Sequence, residues 1–176
     1  MTRRPLRIAA FVAVLVVSVG LSGCSLRADD PDVAASTVFA VGDCVDIDAG
    51  EAPTPDPVRA SEVSCAQDPS YTVGATTNAA GECPTNEYQH VPTDYAEPST
   101  ARLCLVPNLV ANQCYLMEMP IGLVEKASCD DRDDGVLVQV TQRLDVQDQS
   151  ACPADAGSYA WPYPAPARTY CTQTLF

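Results

Sequence analysis

Apolar and polar residues alternate along this chain on two length scales. One long apolar run, Ile8 to Leu21, is made of Ile, Ala, Phe, Val and Leu, with Ser18 and Gly20 near its end. At about 14 residues it is shorter than the ~20 a bilayer-spanning helix needs. Arg3, Arg4 and Arg7 precede it, and the small residues Ser22 and Gly23 close it. That is the three-part pattern of a cleaved secretory signal over residues 1–23. Beyond it, apolar positions come in short runs broken by Pro, Gly, Asn and Asp, the signature of strands and turns.

Residues 24–37 read as a tether, because Leu26-Arg27-Ala28-Asp29-Asp30-Pro31-Asp32 is too polar and broken to bury anything. The folded part begins at Val38-Phe39-Ala40-Val41, and Gly42 to Ile47 predicts a turn followed by a half-buried strand. Three prolines make Glu51 to Pro57 a loop. Val58 to Cys65 leads into a turn at Asp68-Pro69-Ser70. Tyr71 to Thr77 predicts a strand with Tyr71, Val73 and Ala75 on one face, and Arg102 to Val106 a compact apolar strand. No stretch holds a long 3.6-residue period; Ala79–Tyr88 and Val146–Ala156 are each expected to hold one short helix.

The pattern then returns. Asn112-Gln113-Cys114 stands where Gly42-Asp43-Cys44 stood. Ser128-Cys129 answers Ser64-Cys65, Gly135 to Thr141 the Tyr71 strand, Cys152-Pro153 the pair Cys83-Pro84, and Ala167-Arg168-Thr169-Tyr170-Cys171 the stretch Ala101-Arg102-Leu103-Cys104, with one extra residue. Cysteine gaps are 21, 18 and 21 residues in the first copy and 15, 23 and 19 in the second. This recurrence predicts an internal duplication. The fold class expected is mainly β with minor helix (α+β), in two tandem four-Cys modules, 38–108 and 109–176.

Each module is small enough that a core alone is marginal. Cysteine changes that picture. Apart from Cys24, eight remain: Cys44, Cys65, Cys83, Cys104, Cys114, Cys129, Cys152 and Cys171. An even number in an exported chain reads as disulfides. Spacing alone cannot choose among the many pairings eight cysteines allow. If each copy is self-contained few remain, and sequential pairing is the expectation: Cys44 with Cys65, Cys83 with Cys104, Cys114 with Cys129, Cys152 with Cys171. A metal site would want close Cys-x-x-Cys pairs with His nearby, and His90 is the only histidine. No metal and no cofactor are expected.

Charge narrows the partners. The leader carries three of the ten basic residues and no acidic one, so the rest has 7 basic against 23 acidic residues, a net −16. Such a chain lacks the basic patch that nucleic-acid binding requires, and has no electrostatic grip on an anionic membrane. Lys126 is the only lysine against nine arginines, a bias pointing to a GC-rich, actinobacterial genome.

Leu21-Ser22-Gly23-Cys24 resembles the lipobox of bacterial lipoproteins. The resemblance implies cleavage before Cys24 and fatty acyl chains, palmitate among them, on that residue. Several chains on one Cys make a durable anchor. Localisation would be the outer face of the cell membrane, lipid-anchored. An ordinary cleaved signal is the alternative, and Thr2 to Arg7 also loosely resembles a twin-arginine export signal. Further on, Gly42-Asp43-Cys44-Val45, Ser64-Cys65, Asp68-Pro69-Ser70-Tyr71-Thr72-Val73, Cys83 and Leu103-Cys104-Leu105 are similar to the LppU-type lipoproteins of actinobacteria. More distantly they resemble the septum-formation-related domain of that group. The second copy departs at Asn112-Gln113 and at Thr169 to Thr172. These families imply an envelope location and no established enzymatic role.

No catalytic set is legible. His90 lies in the polar stretch Asn86-Glu87-Tyr88-Gln89-His90 and reads as a solvated loop residue with no free thiol to activate. Asp130-Asp131-Arg132-Asp133-Asp134-Gly135 fails the calcium-loop pattern, with Arg132 in its third place, and reads as a hairpin turn. The surface feature is Tyr159-Ala160-Trp161-Pro162-Tyr163-Pro164-Ala165-Pro166. Rings among prolines there offer a stacking face for sugar or peptide at Tyr159, Trp161 and Tyr163, or else form a loop packed on the second module. The function expected is a non-enzymatic, lipid-anchored envelope module that binds an envelope protein or wall polymer. The alternatives are an envelope thiol–disulfide protein, which would need an exposed reducible pair, and a structural lipoprotein without a ligand. With the lipid anchor, the full chain partitions into the detergent phase on Triton X-114 separation and Cys24→Ser moves to the aqueous phase; equal partitioning of the two would refute the anchor.

Overall fold

A computed structural model describes residues 38–48, 56–118, 123–131 and 135–176. The leader, the tether, Cys24 and most of the Pro-rich loop therefore lie outside the described residues. Among the described residues, nine strands form two antiparallel sheets. The first holds β1 (Cys44–Asp48), β2 (Arg59–Glu62), β3 (Tyr71–Thr76) and β4 (Leu103–Pro107), in the order β2-β1-β3-β4. The second holds β5 (Cys114–Glu118), β6 (Leu123–Ala127), β7 (Val136–Leu144), β8 (Ser158–Pro164) and β9 (Ala167–Thr174), in the order β6-β5-β7-β9-β8.

The four strands of the first half have counterparts in the same order in the second, which adds β8 at its edge. In each, the first strand lies between the second and third, and the third pairs with the strand carrying the fourth cysteine. Both third strands carry a bulge at the same place, between Val73 and Ala75 in β3 and between Val140 and Gln142 in β7. Ahead of the first strand, Gly42 N–H donates to Val73 O and Val73 N–H returns to Asp43 O. Asn112, Val140 and Gln113 repeat that pair of bonds. Gly42 and Asn112 both take positive φ, at 101° and 66°. Asn tolerates that region better than other side-chain-bearing residues, so Asn-Gln stands in for Gly-Asp without loss of the turn. Even β8 has a remnant in the first half. Tyr159 of β8 pairs with Thr172, and Gln89 bridges the equivalent Leu105.

Disulfides follow the sequential order in both halves: Cys44–Cys65, Cys83–Cys104, Cys114–Cys129 and Cys152–Cys171. Each fastens a buried strand cysteine (Cys44, Cys104, Cys114 or Cys171) to an exposed or half-buried loop cysteine. The shortest loop, 15 residues, is worth about 3 kcal/mol in the chain-entropy account.

Covalent links stay within halves, but the apolar core does not. Val45, Tyr71, Val73, Leu103 and Leu105 belong to the same buried cluster as Tyr115, Val138, Val140, Tyr163 and Tyr170. All described residues belong to one compact unit. Reciprocal tyrosines cross the boundary. Val45 faces Tyr71 across β1 and β3, and in the equivalent pair Tyr115 faces Val138, so tyrosine and valine are exchanged. Tyr71 Oη accepts from Val124 N–H at 2.9 Å, while Tyr115 donates to Asp68 Oδ1 at 2.5 Å. Lys126 holds the other Asp68 oxygen at 2.7 Å.

Three expectations need correction. Ala79–Tyr88 contains no helix, because the Asn78 side chain takes the Ala80 and Glu82 N–H groups into a turn and Gly81 adopts positive φ. Val146–Ala156 holds only a 3-10 turn, Gln149–Ala151, capped by Asp148, and the other such turn lies at Thr100–Arg102. The Asp-Gly segment is not a hairpin, since β6 and β7 flank β5 instead of pairing; Arg132 to Asp134 lie outside the described residues.

The β8–β9 hairpin reaches across to the first sheet. A Cβ on Gly74, the bulge residue of β3, would collide with the Ala165 carbonyl at the hairpin tip and lie 2.5 Å from Tyr88 Cε1. Gly74→Ala should therefore lower stability by about 1–3 kcal/mol, read as a reduced denaturant midpoint at unchanged slope; an unchanged midpoint would show that the tip does not seat there.

Candidate functional site

The aromatic stretch is not a loop. Ser158–Pro164 is the edge strand β8, paired along its length with β9. Pro162 and Pro164 are tolerated because one side of an edge strand needs no partner, and they blunt that edge against pairing with other chains. Tyr159, Trp161 and Tyr163 share one face by the two-residue strand period. Their burial falls away from the hairpin tip: Tyr163 is 4% exposed, Trp161 is half-buried, and Tyr159 is 58% exposed. Tyr163 packs edge-on against Tyr170, with centroids 6.1 Å apart. The three rings therefore do not form one flat exposed face: Tyr163 packs into the core and reaches the surface only at the floor of a cleft it lines with Trp161.

Trp161 walls this cleft of about 290 Å³ between β8 and the first half. Glu87, Gln89, Met117 of β5 and Tyr163 line it as well. Glu87 is held in place, since its Oε2 accepts from Gln147 Nε2 at 2.9 Å and Thr85 Oγ1 at 3.4 Å. Burial first, and then the Glu87 charge, raises the Tyr88 pKa. The site thus joins an indole, a fixed carboxylate, an amide and a thioether. That set can stack a ring or alkyl stem and take hydrogen bonds.

Two further clefts meet at Arg102. One, of about 200 Å³, is lined by Val38, Phe39, Thr76, Ser99 and Leu103 among others; the second, of about 440 Å³, by Thr77, Asn78 and Thr93 among others. Neither Glu87 nor Arg102 was singled out by sequence reasoning. Both are ordinary surface charges by type, and only the folding of distant segments gives them neighbours.

The other candidates have structural places. His90 is half-buried, and its Nε2 donates to the Ala101 carbonyl at 2.9 Å, so it is not the solvated residue expected. All eight cysteines after Cys24 are in disulfides. Among the described residues, no group of three or more His, Cys, Asp or Glu is placed to hold a metal, and no helix is long and apolar enough to cross a membrane. No protein-family model, curated protein or solved structure matches the chain.

Burial raises the Tyr163 pKa. Burial and then the bond to Asp68 raise that of Tyr115. Since the folded form keeps these protons and the unfolded chain loses them near the ordinary value of 10.0, their contribution is complete below that pH and lost above it. Ultraviolet titration should show Tyr115 and Tyr163 ionising only as the protein unfolds, with stability falling as pH rises above 10; reversible ionisation of every tyrosine with the fold intact would contradict the burial described.

Proposed function

We propose that this chain is a non-enzymatic, lipid-anchored protein of the cell envelope that binds a wall polymer or another envelope protein through the cleft at Trp161. The observation that carries this is the cleft itself, which brings Trp161 together with Glu87 and Gln89. Anchorage through Cys24 to the outer face of the membrane rests on the lipobox resemblance of residues 21–24. The acidic surface keeps the domain off anionic lipid and off nucleic acid.

In this reading the two halves descend from a duplication. Equal strand order, bulges at equivalent positions and the paired left-handed residues Gly42 and Asn112 support it. The thiol–disulfide alternative finds less support. All eight cysteines after Cys24 are paired across separations of 15 to 21 residues, and none forms the Cys-x-x-Cys pair that redox-active sites use. A purely structural lipoprotein would have no use for a cleft walled by its only tryptophan.

Because Trp161 is the sole tryptophan, its fluorescence reports this cleft alone. Titrating the full chain with solubilised wall fractions should shift the emission saturably, and Trp161→Ala should weaken co-sedimentation with insoluble wall at least roughly fivefold, the loss expected of a hot-spot aromatic. A flat emission together with unaltered sedimentation of Trp161→Ala would overturn the proposal.

A further inference from the structure

Five cations lie among the described residues, and four are occupied. Arg59 pairs with Glu97 at 2.9 Å, Lys126 with Asp68 at 2.7 Å, and Arg143 lies 3.7 Å from Asp145. Arg168 is buried on neutral oxygens. Arg102 is exposed, and its guanidinium makes no hydrogen bond or ion pair among the described residues. In a chain with 23 acidic residues against 10 basic ones, Arg102 is the one exposed guanidinium without a carboxylate among the described residues.

Its surroundings are equally selective. Arg102 lines both clefts described above, so the two adjoin at its side chain. Neither is lined by an Asp or Glu. The nearby Glu97 is neutralised by Arg59, and Glu82 accepts from the Asn78 amide. Thr76 and Ser99 on one side, and Thr77 and Thr93 on the other, have hydroxyls with no hydrogen bond among the described residues. Phe39, Val38 and Leu103 add an apolar wall. Repetition of the fold explains why the position is open. Thr169 occupies the place of Arg102 in the second half, where Val146 O and Asp148 N–H bond its hydroxyl and the residue is fully buried. The first half has no such cover.

We propose that the paired clefts at Arg102 bind an anionic sugar unit, a sugar ring bearing a carboxylate or a phosphate ester. The guanidinium takes the anionic oxygens as a two-pronged donor. The four hydroxyls replace water on the ring's own hydroxyls, and the apolar wall takes the C–H face. The larger cleft is of the size small-ligand sites have. This site is separate from the Trp161 cleft and does not rest on it.

The test is an amide-shift titration of the isotope-labelled full chain in detergent with glucuronate, glucose 6-phosphate, inorganic phosphate and glucose. A saturable shift at Thr77, Ser99 and Arg102 with an anionic sugar, absent with glucose, is expected. It should weaken roughly tenfold or more in Arg102→Gln and persist in Arg59→Gln. A response to glucuronate alone assigns a carboxylate, to glucose 6-phosphate alone a phosphate, and to both a site read by charge and ring. The exposed, unbonded Arg102 side chain leaves the fold of Arg102→Gln intact. No saturable shift with either anionic sugar, equal binding by Arg102→Gln, or inorganic phosphate matching glucose 6-phosphate would overturn the proposal.

Discussion

One buried cation holds the point where the chain passes from the first sheet to the second. Arg168 Nη1 donates to the Pro107 carbonyl at 3.0 Å, to Asn108 Oδ1 at 2.7 Å and to Tyr170 Oη at 3.1 Å. Tyr170 donates to the same Pro107 carbonyl at 2.7 Å and accepts from Leu109 N–H at 3.0 Å. Asn108 continues the network into the first half through Ser70 and Thr72. No carboxylate joins these contacts, and Arg168 Nε has no partner among the described residues. A guanidinium in such a place costs desolvation, offset by ion–dipole bonds that strengthen where water is excluded. Removing it would take one donor from each of three buried oxygens and leave its volume unfilled, a cost beyond the net worth of any one bond.

The arrangement matters because nothing covalent does this job. All four disulfides close within a half, so they restrain each sheet and leave the relation between sheets to packing and hydrogen bonds. Neither half has enough apolar surface to stand easily alone at its size. Sharing one core solves that, and the shared core then requires register between the halves. The Arg168–Tyr170 node, the Asp68–Tyr115–Lys126 group and the seat of Ala165 on Gly74 supply it. The chain's single lysine thus serves in the contact between the halves.

Much of this was legible in the sequence, and what was missed has a common cause. Strands β1, β3, β4, β5 and β7 follow from local alternation of Val, Tyr, Leu and Thr, and the recurrence narrowed the cysteine pairings without choosing among them, the sequential order being the expectation that the structure shows. β8 escaped, because a strand carrying two prolines contradicts central-strand composition and is rescued only by lying at an edge. The helix expected at Ala79–Tyr88 failed because Asn78 competes for the backbone donors a helix would use. The Asp-Gly segment misled because a turn motif does not reveal which strand lies between its flanks. Of the aromatic trio, residue type could not separate Tyr163 from Tyr159. Only the landing of the hairpin tip on Gly74 buries one and exposes the other.

Where a fold repeats, its departures from symmetry are informative, because packing demands alone would be met alike on both sides. The two clefts proposed for binding both fall at such departures. The Trp161 cleft exists because the second half extends a fifth strand where the first keeps only the bridge at Gln89, leaving Gln89 and Glu87 to face the longer strand. The Arg102 clefts exist because the second half buries Thr169 beneath a capped turn and the first half leaves the equivalent position open. In one place an element is added, and in the other a cover is missing. Two stretches that would otherwise pack like their counterparts are thereby set free to meet a ligand, an aromatic surface with a carboxylate in one and a guanidinium among hydroxyls in the other. Their opposite charge makes it unfavourable for a single chemical group to satisfy both.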